Sequence, residues 1–219
     1  MRIRVVVVVA LVLGLALHAE AQSRRRSTAK PAPKPVPLKT EPAVVQCPES
    51  LGTGMTSGLS YCFVLAGRDP AQGVLVTIPP HTGPATLMFT LHNRHTYSEE
   101  MVRAGKGFAS YKAGIGVLTM EGELVSRAAV MTEFRTAKDL HERIGGGAGP
   151  SGAKAVAPLG AEQVYVTIPA GVEQVSLLGE VLEAVTAAGR ETATPGRTVA
   201  IVSNVRVEYR PAPPSKTKR

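Results

Sequence analysis

The chain has no tryptophan, and its aromatic residues are five tyrosines and four phenylalanines in 219 positions. Flat sugar faces pack on exposed rings, so a row of aromatic sugar platforms is disfavoured, and the core has to be made of Val, Leu, Ile and Ala. Only two cysteines occur, Cys47 and Cys62, too few for a thiolate metal cluster and without the partners that activate a cysteine nucleophile. Complete catalytic motifs are missing as well. In Gly54-Met55-Thr56-Ser57-Gly58 the serine stands one place late for a nucleophile elbow. After the glycines of 145–152, Lys154 is followed by Ala155-Val156 instead of the Ser or Thr of a phosphate loop. Glu121 and Glu123 flank a hairpin turn and read as solvated charges, not as a glycosidase pair.

One long apolar run is present, Val5 to Leu17, preceded by Arg2 and Arg4 and followed by the small-x-small site Ala19-Glu20-Ala21. Thirteen residues are too few to span a bilayer, and the pattern predicts a secretory signal peptide over residues 1–21. The expected location is secreted or periplasmic, with no transmembrane segment after cleavage. In such an oxidising compartment an even cysteine count predicts a Cys47–Cys62 disulfide, contributing about 3 kcal/mol through the unfolded chain.

The formal charge is +8, and its placement decides what it means. Residues 22–42 hold Arg24, Arg25, Arg26, Lys30, Lys34 and Lys39 against Glu41, and residues 210–219 hold Arg210, Lys216, Lys218 and Arg219 with no acid. The stretch 43–209 has 13 basic and 15 acidic groups, 13 − 15 = −2. A domain that reads nucleic acid needs its cations on a folded face, so no specific nucleic-acid partner is expected. Basic tails suit loose contact with an anionic surface, for which Arg24, Arg25, Arg26, Lys30 and Lys34 are the candidates. The Pro, Lys and Ala composition of 22–42 predicts an extended linker, and residues 211–219 a second unstructured basic tail.

Between them the strongest signal is a repeat. Val74-Leu75-Val76-Thr77-Ile78-Pro79 and Val164-Tyr165-Val166-Thr167-Ile168-Pro169 share V-x-V-T-I-P, each followed eight residues beyond its Ile by Thr86-Leu87 or Ser176-Leu177. Alternating β-branched residues ended by Pro predict a strand, turn, strand unit written twice. Leu87, Phe89 and Leu91 should face the core. The small residues Ala109, Ala113, Gly114 and Gly116 predict a close backbone approach or a bulge. Glu121-Gly122 predicts a hairpin turn, and Ser203-Asn204 a bulge. Thr136 as N-cap, Asp139, Leu140 with Ile144, and a final Gly145 predict one short helix. Ile201-Val202-Ser203-Asn204-Val205-Arg206-Val207 resembles the closing strand of jelly-roll modules found in bacterial carbohydrate-binding proteins. The reading is thus all-β: a single antiparallel, jelly-roll-like β-sandwich over residues 43–210 with one short helix, between basic tails.

The candidate site is the loop carrying His92-x-x-His95 with Tyr97, Glu99 and Glu100, and His81 in the first repeat's turn nearby. Imidazoles and carboxylates are zinc-type ligands, so a divalent metal is the one cofactor to consider. Following a strand, an offset of three sends the two rings to opposite faces, so convergence needs a bend. Tyr97, Tyr111 and Tyr165 are candidate binding platforms, and His141 reads as exposed. Without a complete catalytic set, the first expectation is a non-catalytic exported module that binds a partner protein, a polysaccharide or an anionic envelope surface. The alternatives are a metal-binding protein or metal-dependent hydrolase at the His92/His95 loop, and a self-assembling structural envelope subunit.

Overall fold

The computed structural model describes residues 36–94, 100, 103–106, 108–132, 140–145, 153–156, 161–187 and 189–213. In chain order its strands are β1 (Lys39–Pro42), β2 (Val44–Gln46), β3 (Ser50–Thr53), β4 (Ser60–Leu65), β5 (Val74–Thr77), β6 (Ala85–Asn93) and β7 (Phe108–Thr119). There follow β8 (Leu124–Thr132), β9 (Glu142–Gly145), β10 (Ala153–Val156), β11 (Glu162–Ile168), β12 (Gln174–Thr186), β13 (Gly189–Thr192) and β14 (Thr198–Tyr209). Sheet A has the order β11-β6-β14-β4-β3, with β1 also on β14; sheet B has the order β2-β5-β12-β7-β8, with β13 also on β12. All the strand pairings are antiparallel, and the two sheets pack face to face as a β-sandwich.

The repeat explains this architecture, though not as two hairpins. Each copy sends its first strand to one sheet and its second to the other, so β5 pairs with β12 and β11 pairs with β6. The arms of the two copies are therefore exchanged. Thr77 stands opposite Gln174, whereas its counterpart Thr167 stands opposite Thr86, the counterpart of Ser176. The two pairings differ by two residues, an even shift that leaves every side chain on its own face. Val74, Val76 and Ile78 are buried, as are Val166 and Ile168, while Thr77, Tyr165 and Thr167 face out.

Between the sheets lies an apolar core that includes Val64, Leu87, Phe89, Leu91, Ile115, Val117, Leu177 and Val202. Each such side chain contributes about 1.5–3 kcal/mol when removed from water. Cys47, just after β2 of sheet B, is disulfide-bonded to Cys62 in β4 of sheet A, with Cα atoms 5.4 Å apart, so the bridge ties one sheet to the other. Gly122, with φ 87°, makes the β7–β8 turn and donates its N–H to the Thr119 carbonyl. Between Ser203 and Arg206 the β14–β6 register shifts, and Asn204 there has φ 50°.

Two expectations change, and a third is met at a bulge. Lys39–Pro42, placed in the linker by composition, is a strand on β14, so the paired body begins before residue 43. Glu142–Gly145, the second half of the expected helix, is strand β9, with Glu142 and Ile144 buried and Arg143 exposed; residues 133–139 of that expectation lie outside the described residues. A two-turn helix is marginal by itself, and the contacts made by Glu142 and Ile144 favour the extended form. The small residues of β7 serve the neighbouring strand: Gly114 and Gly116 lie beneath Val181 and Glu180, where β12 bulges against β7.

Candidate functional site

Sheet A is buried on both faces at one end. Its inward face feeds the main core, and its outward face there carries Tyr61 from β4, Ile201 and Ser203 from β14, and His92 from β6. Strand alternation puts them together, because Ile201 stands opposite His92 and Ser203 opposite Tyr61. Residues 141–145 cross over this face. Ile144 packs with Leu51, Tyr61 and Ile201 in a second small core, and the His141 ring stacks on His92 with centroids 5.5 Å apart.

Glu142 holds the crossing segment down. One carboxylate oxygen, Oε1, accepts from the Thr56 amide at 2.7 Å and the Ser57 amide at 2.6 Å; Oε2 accepts from Ser57 Oγ at 2.7 Å and Tyr61 Oη at 2.6 Å. The receiving loop is closed by its own bonds, Gly58 N–H to the Gly54 carbonyl and Gly54 N–H to the Leu59 carbonyl. Gly54 leaves room for the carboxylate: a Cβ there would lie 2.5 Å from Glu142 Oε2. Burial acts to raise the Glu142 pKa, and the donors from Tyr61, Ser57 and Thr56 outweigh it, bringing it down to about 2. Burial, with the neighbouring Glu142 charge, pushes the Tyr61 phenol up to about 12. At neutral pH Glu142 is an anion and Tyr61 a neutral donor.

Next to this pair, His92 Nε2 lies 2.9 Å from Ser203 Oγ. The imidazole is fully buried and Ser203 is 2% exposed. Burial, and then the adjacent His141, lower the His92 pKa to about 4, against the pull of Glu142. Ser203, His92 and Glu142 are the residue types of a serine hydrolase, yet the arrangement differs. The carboxylate is spent on the 54–61 loop and Tyr61, and the hydroxyl opens onto packed side chains instead of a cleft. Chemically the cluster is a buried latch that fastens β9 to sheet A.

Of the residues singled out in the sequence, His92 lies in this cluster. His81 does not: it sits before the opposite end of β6, its Nδ1 2.9 Å from the Pro79 carbonyl oxygen. The extended strand from Ala85 to His92 alone covers about 23 Å, because the chain advances ~3.3 Å per residue, so the two histidines cannot share a ligand. His95, Tyr97 and Glu99 lie outside the described residues, as do Arg24, Arg25, Arg26, Lys30 and Lys34. Among the described residues no group of three or more His, Cys, Asp or Glu side chains is placed to hold a metal ion. Tyr111 is 4% exposed and belongs to the core, because the alternation of β7 turns Tyr111, Ala113, Ile115 and Val117 inward; it is not a binding platform. Tyr165 is 68% exposed on β11, as a platform would be. His141 is exposed, with one face of its ring on His92.

Glu142 and Tyr61 were not singled out in the sequence, and Ser57 and Ser203 were weighed there only as a nucleophile and as part of a bulge. The one available signal was Glu142 at a buried position of a short alternating stretch, and its donors lie 81 to 86 residues away. Comparison with models of known protein families and with curated protein sequences gives no match.

Proposed function

We propose that the chain is an exported, non-catalytic β-sandwich that docks on an anionic envelope surface through its two basic flanks. One pairing carries the reading: Lys39 stands opposite Tyr209 in the antiparallel β1–β14 ladder. The polypeptide therefore enters and leaves the sandwich at one end, on neighbouring strands about 5 Å apart. Upstream of that point the sequence carries Arg24, Arg25, Arg26, Lys30 and Lys34, and downstream Arg210, Lys216, Lys218 and Arg219, while residues 43–209 sum to −2. Lys39 itself is paired with Glu41, which also accepts from Tyr209 Oη at 2.6 Å, so this junction is held by its own contacts.

Each Lys or Arg near an anionic membrane contributes roughly 1 kcal/mol, and the attraction fades within a Debye length. Two tethers leaving from one place make the second contact intramolecular, so together they bind more tightly than either alone. The buried latch supports a non-catalytic role, since the Glu142 carboxylate that would orient a His–Ser pair is instead held by Thr56, Ser57 and Tyr61.

The test is binding of the mature chain to vesicles containing phosphatidylglycerol, compared with forms lacking residues 22–38, residues 213–219, or both, at low and physiological salt. The expected result is weaker binding on either deletion, none on both, and loss with added salt. Equal binding by the doubly deleted form, or equal binding to neutral vesicles, would overturn the reading.

A further inference from the structure

We propose that β11 is a dimerisation strand: two copies of the chain join edge to edge through antiparallel β11 segments, so that their A sheets become one continuous sheet. The internal repeat supplies the argument. In the first copy β5 is flanked on both sides, by β12 and by β2, with Val44, Val45 and Gln46 opposite Thr77, Val76 and Leu75. Its counterpart in the second copy, β11, pairs with β6 alone among the described residues. Among the described residues, the place that β2 takes beside the first copy is open beside the second. An open edge presents a row of backbone N–H and C=O groups ready to pair with another strand.

Nothing within β11 blunts that edge. Glu162 is its first residue and Pro169 lies just beyond its end; Gln163 to Ile168 carries neither charge nor proline. The other edges are managed differently. β2 and β3 are three and four residues long and lie on the side tied by the Cys47–Cys62 bridge. β8 is long, but it carries Arg127, ion-paired with Glu180 at 2.7 Å. β8 packs against β11 across the sandwich without pairing with it as a neighbour, so among the described residues the in-plane edge of β11 stays open.

A second copy fits this edge because β11 is complementary to itself. An axis through Tyr165 sets Tyr165 opposite Tyr165, Val164 opposite Val166, Gln163 opposite Thr167 and Glu162 opposite Ile168, with no like charges facing. Such a two-fold contact is isologous and closes, giving a dimer and not a fibre. The half-buried Val164 would gain cover on the core face, and the two Tyr165 rings, each 68% exposed in the single chain, would meet on the outer face. Cross-strand aromatic pairs are among the favourable ones.

Sedimentation equilibrium of the mature chain tests this, alongside Tyr165→Lys, Tyr165→Glu and their equimolar mixture. The parent should sediment as a dimer. Each variant should dissociate at least about tenfold more readily, because like charges then face across the axis. The mixture should recover the dimer through opposite charges. Unchanged far-ultraviolet dichroism in the variants, whose substituted side chain is exposed, will show that the sandwich is intact. A parent that stays monomeric at the highest soluble concentration would overturn the proposal. So would variants that dimerise as tightly as the parent, or a mixture no tighter than either variant alone.

Discussion

Replacing Glu142 by glutamine keeps the side chain's shape and removes its charge, so it measures how strongly the carboxylate fastens the crossing segment to sheet A. Four donors converge on it at 2.6 to 2.7 Å. A hydrogen bond to a charged acceptor contributes about 1.5–3 kcal/mol and to a neutral one about 0.5–1.5, a difference of roughly 1 kcal/mol per bond. The amide NH2 also turns a donor toward donors that had an acceptor. With water relieving part of the loss at the loop, Glu142→Gln should cost about 3 kcal/mol at neutral pH. For a body of this size that is a fall of roughly 6–12 °C in Tm. The folded pKa of about 2 lies below the ordinary 4.5, so the charge contributes fully above the ordinary value and its contribution is lost as pH falls toward the folded one. The gap between parent and variant should therefore be widest near neutrality, narrow below pH 4.5 and close near pH 2. Urea unfolding followed by far-ultraviolet dichroism across that range is the assay. A gap below about 0.5 kcal/mol at neutral pH, or one that does not narrow in acid, would refute the latch.

His92 has the opposite charge type and the same direction of effect. Its folded pKa of about 4 lies below the ordinary 6.5, so between these values the unfolded chain takes up a proton that the folded one refuses. Stability should fall by about 3 kcal/mol over that window, and His92→Gln should flatten this part of the pH profile measured by denaturant unfolding. Replacing both Cys47 and Cys62 by serine should cost about 3 kcal/mol, seen as a lower urea midpoint that added reductant no longer changes. Gly179→Ala would set a Cβ 2.1 Å from Val199 Cγ2 and 3.3 Å from Ala66 Cα. It should destabilise by at least about 2 kcal/mol, and Val199→Ala in the same chain should recover part of the loss of Tm.

Local chemistry was legible in the sequence where it acts over a few residues. The V-x-V-T-I-P copies gave strands and their buried faces, Glu121-Gly122 gave a turn, and Ser203-Asn204 gave a break in register. Neighbours were not legible, because alternation assigns a residue to a face and says nothing about the strand beside it. The exchange of β5 and β11 between sheets was hidden for that reason. Leu140 and Ile144 satisfy a helical spacing, and Glu142 between them looks like a solvated charge until the Thr56, Ser57 and Tyr61 donors are brought from far along the chain. His92 could be recognised as a candidate, but its surroundings depend on Ser203 and His141, which only the folded sheet brings near. Tyr111 and Tyr165 are the same residue type on alternating strands, and pairing decides that one is core and the other surface.

The middle strand of sheet A is β14 and the middle strand of sheet B is β12, and both come from the C-terminal part of the chain. During synthesis the β3–β4 and β7–β8 pairs have both their strands early, but β5 and β6 find their long partners only after residues 162–209 exist. An early stop anywhere before Thr198 removes the centre of a sheet. Completing either sheet therefore requires the closure of long loops, which slows folding.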